Sequence, residues 1–371
     1  MYQTFHHDGK GFVPPFILTI ILLAIFQILP PTSSRAERIT LSAEQKAQLA
    51  TAEKVAVTAV ALTEEGIVDS GSLSQVVGNQ MEAIGYVMVK HSKDPHDVLI
   101  KIKCEERKTW TGPSKTGGDA DQPGAPSRLW KGPACILSYF IHGQRGPWEF
   151  EVRTPFNDAL VASQKANIED SGTFALSQLQ EELRVSDFPL HLSAHWGQTS
   201  RLVQLLTASS STKSLKLKIM ALAPQLSGKT IVEALQATMD DPTLAEPATH
   251  ALGFVGEEAT PILLALLKTS PNTDIQAASA RSLGEMGSRS GDVSIIPPLL
   301  NKLNEHNIPL KVEIEIVRAL GKVPDKQSVP ALEAASLRAW TSRSQDPQIK
   351  DLQEATVWSL WQINPSPHAE D

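Results

Sequence analysis

A leucine followed by a small residue returns along the second half of this chain: Leu222-Ala223, Leu252-Gly253, Leu283-Gly284 and Leu320-Gly321, with Leu360-Trp361 closing the series. By subtraction the steps are 30, 31, 37 and 40 residues. A period in this range marks a solenoid, because a single unit of that length cannot bury its own apolar side and must stack on its neighbours. The grammar inside a unit repeats as well. Ala248-Thr-His-Ala-Leu-Gly is followed by Thr260-Pro-Ile-Leu-Leu-Ala-Leu-Leu, and Ala277-Ala-Ser-Ala-Arg-Ser-Leu-Gly by Ile296-Pro-Pro-Leu-Leu-Asn-Lys-Leu. Small residues let one helix lie close to the next, glycine ends it, and proline opens its antiparallel partner. Each unit therefore reads as a helical hairpin, and the expected stack runs over residues 198–364.

These units resemble HEAT repeats of the short type also found in phycobilisome-lyase-like proteins. The resemblance covers about 170 residues, with its best units between Leu244 and Ala335. It weakens at Leu222-Ala223 and at Leu360-Trp361, which read as atypical end units. It implies a curved surface that binds another protein. The expected contact face is the inner one, built from the second helices around Pro261–Lys268, Pro297–Lys302 and Val329–Glu333, with Lys268, Asn301, Lys302 and Glu333 as its polar partner-binding candidates. The lyase chemistry known in that family rests on features not visible in this sequence.

The first half has a different period. Val55–Leu62, Ile84–Val89, Val98–Cys104, Cys135–Ile141 and Trp148–Val152 are β-branched or aromatic runs separated by turn residues, which predicts an antiparallel sheet or small sandwich over residues 37–156. Ser42 with Gln45 three places on reads as a capping box that opens a short helix before the sheet. Residues 157–197 read as a partly helical linker, and 365–371 as a tail. The fold class is thus an N-terminal β-rich domain followed by an all-α solenoid.

Cys104 and Cys135 are the only cysteines. Each falls in the apolar phase of its strand, so antiparallel pairing would bring them together and a disulfide is expected, two buried thiols being the alternative. The chain between them, Glu105–Ala134, is rich in Gly and Pro and reads as a long loop.

At the N-terminus, Phe16–Leu29 is apolar except for Thr19 and Gln27, with Lys10 before it and Ser34-Arg-Ala36 after it. Residues 1–36 therefore read as a secretory signal peptide, or as an anchor held in the membrane by residues 12–31. Either reading exports the body of the chain to a periplasmic, secreted or membrane-attached location, and no other segment is expected to meet the membrane. An exported chain also suits a disulfide.

Net charge argues against a nucleic-acid partner. The chain carries −7, with 16 Lys/Arg against 21 Asp/Glu over residues 37–197 and 16 against 17 over 198–364. Neither half offers the basic stripe that phosphates require.

Several near-matches to chemical motifs fail on their context. Ser227-Gly-Lys-Thr230 lacks the glycine and strand of a phosphate-binding loop, and Lys115-Thr-Gly117 with Ser210 to Lys213 stands in reversed order for a penicillin-binding protein. His191 and His195 share a helix spacing, but Leu192 stands where a metalloprotease has its glutamate. Asp119-Ala-Asp121 runs into Pro123 where a calcium loop supplies oxygen. His250 has no acid or nucleophile beside it at helical spacing, and Trp110, Trp130 and Trp148 read as cover for the sheet. No catalytic, metal or cofactor set emerges. The function expected is a non-enzymatic, protein-binding scaffold of the cell envelope; the alternative is an envelope hydrolase or lyase, or a small-ligand receptor, with its site between the two domains.

Overall fold

The computed structural model describes residues 40–64, 66–68, 70–113 and 127–364. The apolar N-terminal segment with its expected cut site, the Lys115-Thr-Gly117 and Asp119-Ala-Asp121 motifs, and the tail 365–371 lie outside the described residues. From Ser42 onward the chain forms one compact unit.

The first helix, α1 (Ala43–Ala50), begins at the expected capping box. The Gln45 amide donates to Ser42 Oγ at 3.1 Å, and the Ser42 amide donates back to Gln45 Oε1 at 2.9 Å. Among the described residues six strands follow: β1 (Lys54–Thr63), β2 (Gly66–Val68), β3 (Val87–Met88), β4 (Val98–Pro113), β5 (Ser127–Ile141) and β6 (Gln144–Arg153). They build one sheet in the order β2-β1-β4-β5-β6, with β3 also paired to β1.

The antiparallel expectation holds for β4, β5 and β6 but not for β1, which lies parallel to β4 from Val55↔Val98 to Leu62↔Glu105. A parallel pair needs a crossover, and α2 (Gly71–Ala83) supplies it. Its apolar side chains recur at helical spacing, with Leu73, Val76, Val77 and Met81 all buried. The helix takes up part of the segment between β1 and β4, and the expected strand at Ile84–Val89 shortens to two residues because Ile84 caps α2 and Gly85 turns the chain with φ at +94°.

Cys104 and Cys135 stand directly opposite one another and form the disulfide, both fully buried. The stretch beyond them is not a loop throughout. Pairing resumes past an irregularity at Glu105/Lys108 and continues to Pro113↔Ser127, so the cysteines clamp the base of a protruding two-stranded ribbon. On the sheet proper, alternation decides exposure: Ile100, Ile102, Leu137, Tyr139 and Ile141 are buried, whereas Lys101 and Lys103 face solvent.

Two helices, α3 (Ala159–Lys165) and α4 (Ser171–Val185), lead away from the sheet, and α4 lies across β4, β5 and β6 with Ala175, Leu179 and Leu183 buried. The short α5 (Phe188–His195) then fastens the sheet to the helical stack. The Tyr86 hydroxyl meets Ser193 Oγ at 2.9 Å and donates to Gln198 Oε1 at 2.8 Å, and Gln198 Nε2 donates to the Leu49 and Ala52 carbonyls at 2.8 and 2.9 Å. The Trp196 ring stands edge-on to both Tyr86 and Tyr139.

Beyond this joint the hairpins run α6 (Thr199–Thr207), α7 (Lys213–Ala221), α8 (Lys229–Thr238), α9 (Ala245–Leu252), α10 (Thr260–Thr269), α11 (Thr273–Ser290), α12 (Ile296–Leu303), α13 (Leu310–Lys322), α14 (Val329–Thr341) and α15 (Pro347–Ile363). Pro261, Pro297 and Pro330 sit in the first turns of α10, α12 and α14, where the missing N–H costs nothing. Among the described residues, no helix is long and apolar enough to cross a membrane.

The recurring glycines fall where consecutive first helices touch. A β-carbon on Gly253 would stand 2.8 Å from Ser282 Cβ, and one on Gly321 would stand 2.5 Å from Ser359 Oγ. The serines close these contacts: Ser282 Oγ donates to the Thr249 carbonyl at 2.9 Å and Ser359 Oγ to the Val317 carbonyl at 2.8 Å. The first helices α9, α11, α13 and α15 thereby pack in a continuous layer, whereas the second helices α10, α12 and α14 make few contacts among themselves.

Candidate functional site

The widely spaced second helices leave a groove of about 320 Å³ between α10 and α12, lined by Leu264, Leu267, Lys268, Pro298, Asn301, Lys302 and Glu305. Three of the four sequence candidates meet there. Leu263 and Leu267 are buried and hold α10 on the stack, which leaves Leu264 and Lys268 along the rim. Lys268 has no carboxylate within ion-pair distance among the described residues. Asn301 stands exposed on the facing helix.

Lys302 departs from expectation, since it is buried rather than a surface residue. Only 9% of it reaches solvent, and its Nζ is held by Glu305 Oε2 at 2.7 Å, one helical turn away. Burying the stem while steering the ammonium to a carboxylate makes it part of the groove wall. Glu333 lies on α14, exposed and outside the groove. Glu305 was missed by the sequence reading, although its place three residues after Lys302 is a helical pairing distance.

The closely packed layer carries the opposite chemistry, a ladder of ion pairs between consecutive helices. Arg281 Nε and Nη2 grip both oxygens of Glu315 at 3.0 and 2.9 Å, and Arg318 Nη1 adds a third bond at 3.0 Å. Glu315 is buried, its side chain 7% exposed. Burial alone would raise its pKa, but the hydrogen bonds and charges of Arg281 and Arg318 outweigh that and hold it below the usual carboxylate value. Lys311 with Asp274 and Lys322 with Glu285 complete the ladder, and Arg338 reaches Glu313 from the second helix α14. His250 stands beside it, its pKa lowered by burial and then by the Arg281 charge.

A second, polar groove of about 410 Å³ lies where the sheet meets the stack, lined in part by Thr51, Glu53, Ser200, Arg201 and Gln204. Two of its polar groups, Gln198 and Arg201, are committed to the joint. The Arg201 guanidinium lies 3.9 Å from the centre of the Tyr86 ring, donates to Gln198 Oε1 at 2.7 Å and donates to the Ile84 carbonyl at 3.2 Å. Burial pushes the Tyr86 hydroxyl up to about 12, which keeps it protonated at neutral pH.

The remaining motifs fall into packing roles. His191 and His195 share one face of α5 but lie against sheet aromatics, His191 near Phe150 and His195 near Trp148, and His195 Nε2 meets the Tyr139 hydroxyl at 3.1 Å. Burial lowers the pKa of His195 and raises that of Tyr139 to about 12. Ser227-Gly-Lys-Thr230 is the turn into α8, preceded by a short 3-10 helix at Ala223–Gln225 rather than a strand. No group of three or more His, Cys, Asp or Glu among the described residues is arranged to hold a metal ion.

Residues 260–360 match the family model for HEAT repeats. This part of the chain is similar to HEAT repeats. The match spans α10 to α15, the same helices that form the groove and the ion-pair ladder. HEAT repeats commonly mediate protein–protein interaction, and the repeat segment of this chain has the architecture for it. No curated protein matches the chain.

Proposed function

We propose that this protein is a non-enzymatic scaffold of the cell envelope, exported or anchored through its apolar N-terminal segment, and that it holds a partner protein in the groove between α10 and α12. The observation that carries the reading is the convergence of Lys268 and Asn301 on a groove between consecutive HEAT units, with Leu264 and Pro298 supplying apolar contact. An amphipathic segment with an apolar anchor and a carboxylate suits those groups, since Lys268 has no carboxylate within ion-pair distance among the described residues. The envelope location is supported by the apolar run Phe16–Leu29 and by the buried disulfide, a bond that persists in oxidising compartments.

The test is capture of partners from envelope extracts by the full chain and by Lys268→Glu and Asn301→Ala. Each variant is expected to lose about fivefold in capture, roughly 1 kcal/mol, with helix content unchanged. Capture equal to wild type by both variants would remove the groove from the interface. Cell fractionation and non-reducing mass spectrometry of the same protein check the compartment, and cytosolic protein with two alkylatable thiols would overturn that part.

A further inference from the structure

Among the described residues, nothing covers an aromatic face of the α14–α15 hairpin. Trp340 of α14 and Val357, Trp358 and Trp361 of α15 are 62%, 54%, 39% and 49% exposed, and together with Lys350 and Glu354 they line a groove of about 540 Å³. A solenoid normally closes with a polar outer side. The α14–α15 hairpin instead presents aromatic side chains. Trp361 also occupies the place that Gly253, Gly284 and Gly321 hold in the preceding units, and those glycines are what let the next first helix approach within contact of backbone. An indole at that place prevents a further repeat from docking in the same manner, so whatever covers the face must pack differently.

The geometry points to a second copy of this chain as the occupant, with α15 packed antiparallel against α15 of its twin about a two-fold axis. The argument is complementarity along one helical stripe. Lys350, Glu354, Val357/Trp358 and Trp361 follow one another at spacings of three or four residues, so one end of the stripe is charged and the other aromatic. Turned head to tail on itself, the stripe sets Lys350 against the Trp361 indole face of the other copy and Glu354 beside the Trp358 N–H. These are a cation–π contact and a hydrogen bond made twice by symmetry. The charged groups are available for this, since Lys350 and Glu354 meet only at 3.7 Å within one copy and are 79% and 65% exposed. Parallel packing would set lysine on lysine and glutamate on glutamate.

The test uses the full chain in mild detergent, carrying two different tags on co-expressed copies. Wild-type copies are expected to capture one another, and Trp361→Glu in both copies is expected to reduce that capture at least tenfold without loss of helix content. In mixtures of Lys350→Cys copies with Trp361→Cys copies, the antiparallel register predicts a disulfide between unlike copies and little between like copies. Absence of wild-type self-capture, self-capture indifferent to Trp361→Glu, or cross-links between like copies would overturn the proposal. So would a face whose Trp361-sensitive occupant is a different protein. Failure here leaves the α10–α12 groove untouched, because its probes Lys268 and Asn301 lie on other helices.

Discussion

Gly284 lies so close to Ala319 on the next first helix that a β-carbon on the glycine would stand 2.7 Å from the Ala319 Cα. That distance is below any normal carbon contact, and the obstructing atom is backbone rather than a movable side-chain tip. The recurring Leu-Gly pair is thus a spacing device: the leucine fills the core of a hairpin and the glycine admits the neighbouring helix.

Gly284→Ala should therefore destabilise the protein even though alanine is the better helix former by about 1 kcal/mol. Forcing α11 and α13 apart is expected to cost about 1–3 kcal/mol net, the range typical of overpacking. Urea denaturation followed by circular dichroism measures it. A variant as stable as wild type would show that the two helices separate freely.

The repeat made this much of the fold legible, because a periodic signal survives the loss of any one unit. The ion-pair ladder was written in the same register but is harder to see. Arg281 and Glu315 are 34 residues apart, and Glu285 and Lys322, like Asp274 and Lys311, are 37 apart, so each pair spans one repeat step. Read without a repeat alignment, these are scattered surface charges. The β-rich region was less legible. Alternation found β4, β5 and β6 and the paired cysteines, but the partner of β1 depends on a crossover through α2, and no local pattern states which strand a crossover reaches. Lys302 was misplaced for a related reason: an amphipathic side chain at a helix position that faces its neighbour can be buried to its ammonium, and composition cannot reveal that.

The disulfide closes a separation of 31 residues. In the chain-entropy model such a cross-link stabilises by about 3–4 kcal/mol. Cys104→Ser with Cys135→Ser should lower the stability of the sheet by that order and leave the helical signal of the stack in place. Reduction of the wild-type protein should reproduce the effect, as seen by near-ultraviolet circular dichroism. An unchanged midpoint would mean that the ribbon base is held by strand pairing alone.

Gln198 is the polar pin of the joint, 4% exposed, with its amide spanning the Leu49 and Ala52 carbonyls and its oxygen receiving the Tyr86 hydroxyl and Arg201. Gln198→Ala strips partners from several buried groups at once and should cost about 2–4 kcal/mol. Tyr86→Phe removes one of those groups and should cost less, about 1 kcal/mol. Thermal denaturation of the two variants tests the ordering, and a larger loss for Tyr86→Phe would contradict the role given to Gln198.

Glu315 makes the ladder sensitive to acid, and the sign follows from its surroundings. Its folded pKa lies below the ordinary carboxylate value, because the bonds and charges from Arg281 and Arg318 outweigh the cost of burial. A carboxylate depressed in the folded state adds stability that is fully present above its unfolded pKa, about 4.3, and drains away as pH falls through the lower folded value. Wild type should accordingly lose stability from about pH 5 downward. Glu315→Gln removes the titration but keeps the shape, so its stability profile over that acid window should be flatter. At pH 7 the same change leaves Arg281 and Arg318 without their shared charge partner. Both are partly exposed, at 38% and 43%, so water compensates in part and the loss should be about 1–3 kcal/mol rather than the full cost of a stranded buried charge. Urea midpoints measured from pH 3 to pH 7 for the two proteins decide it. Parallel profiles would mean that other carboxylates govern the acid response, and a Glu315→Gln variant as stable as wild type at pH 7 would mean that the ladder contributes nothing to holding α11 on α13.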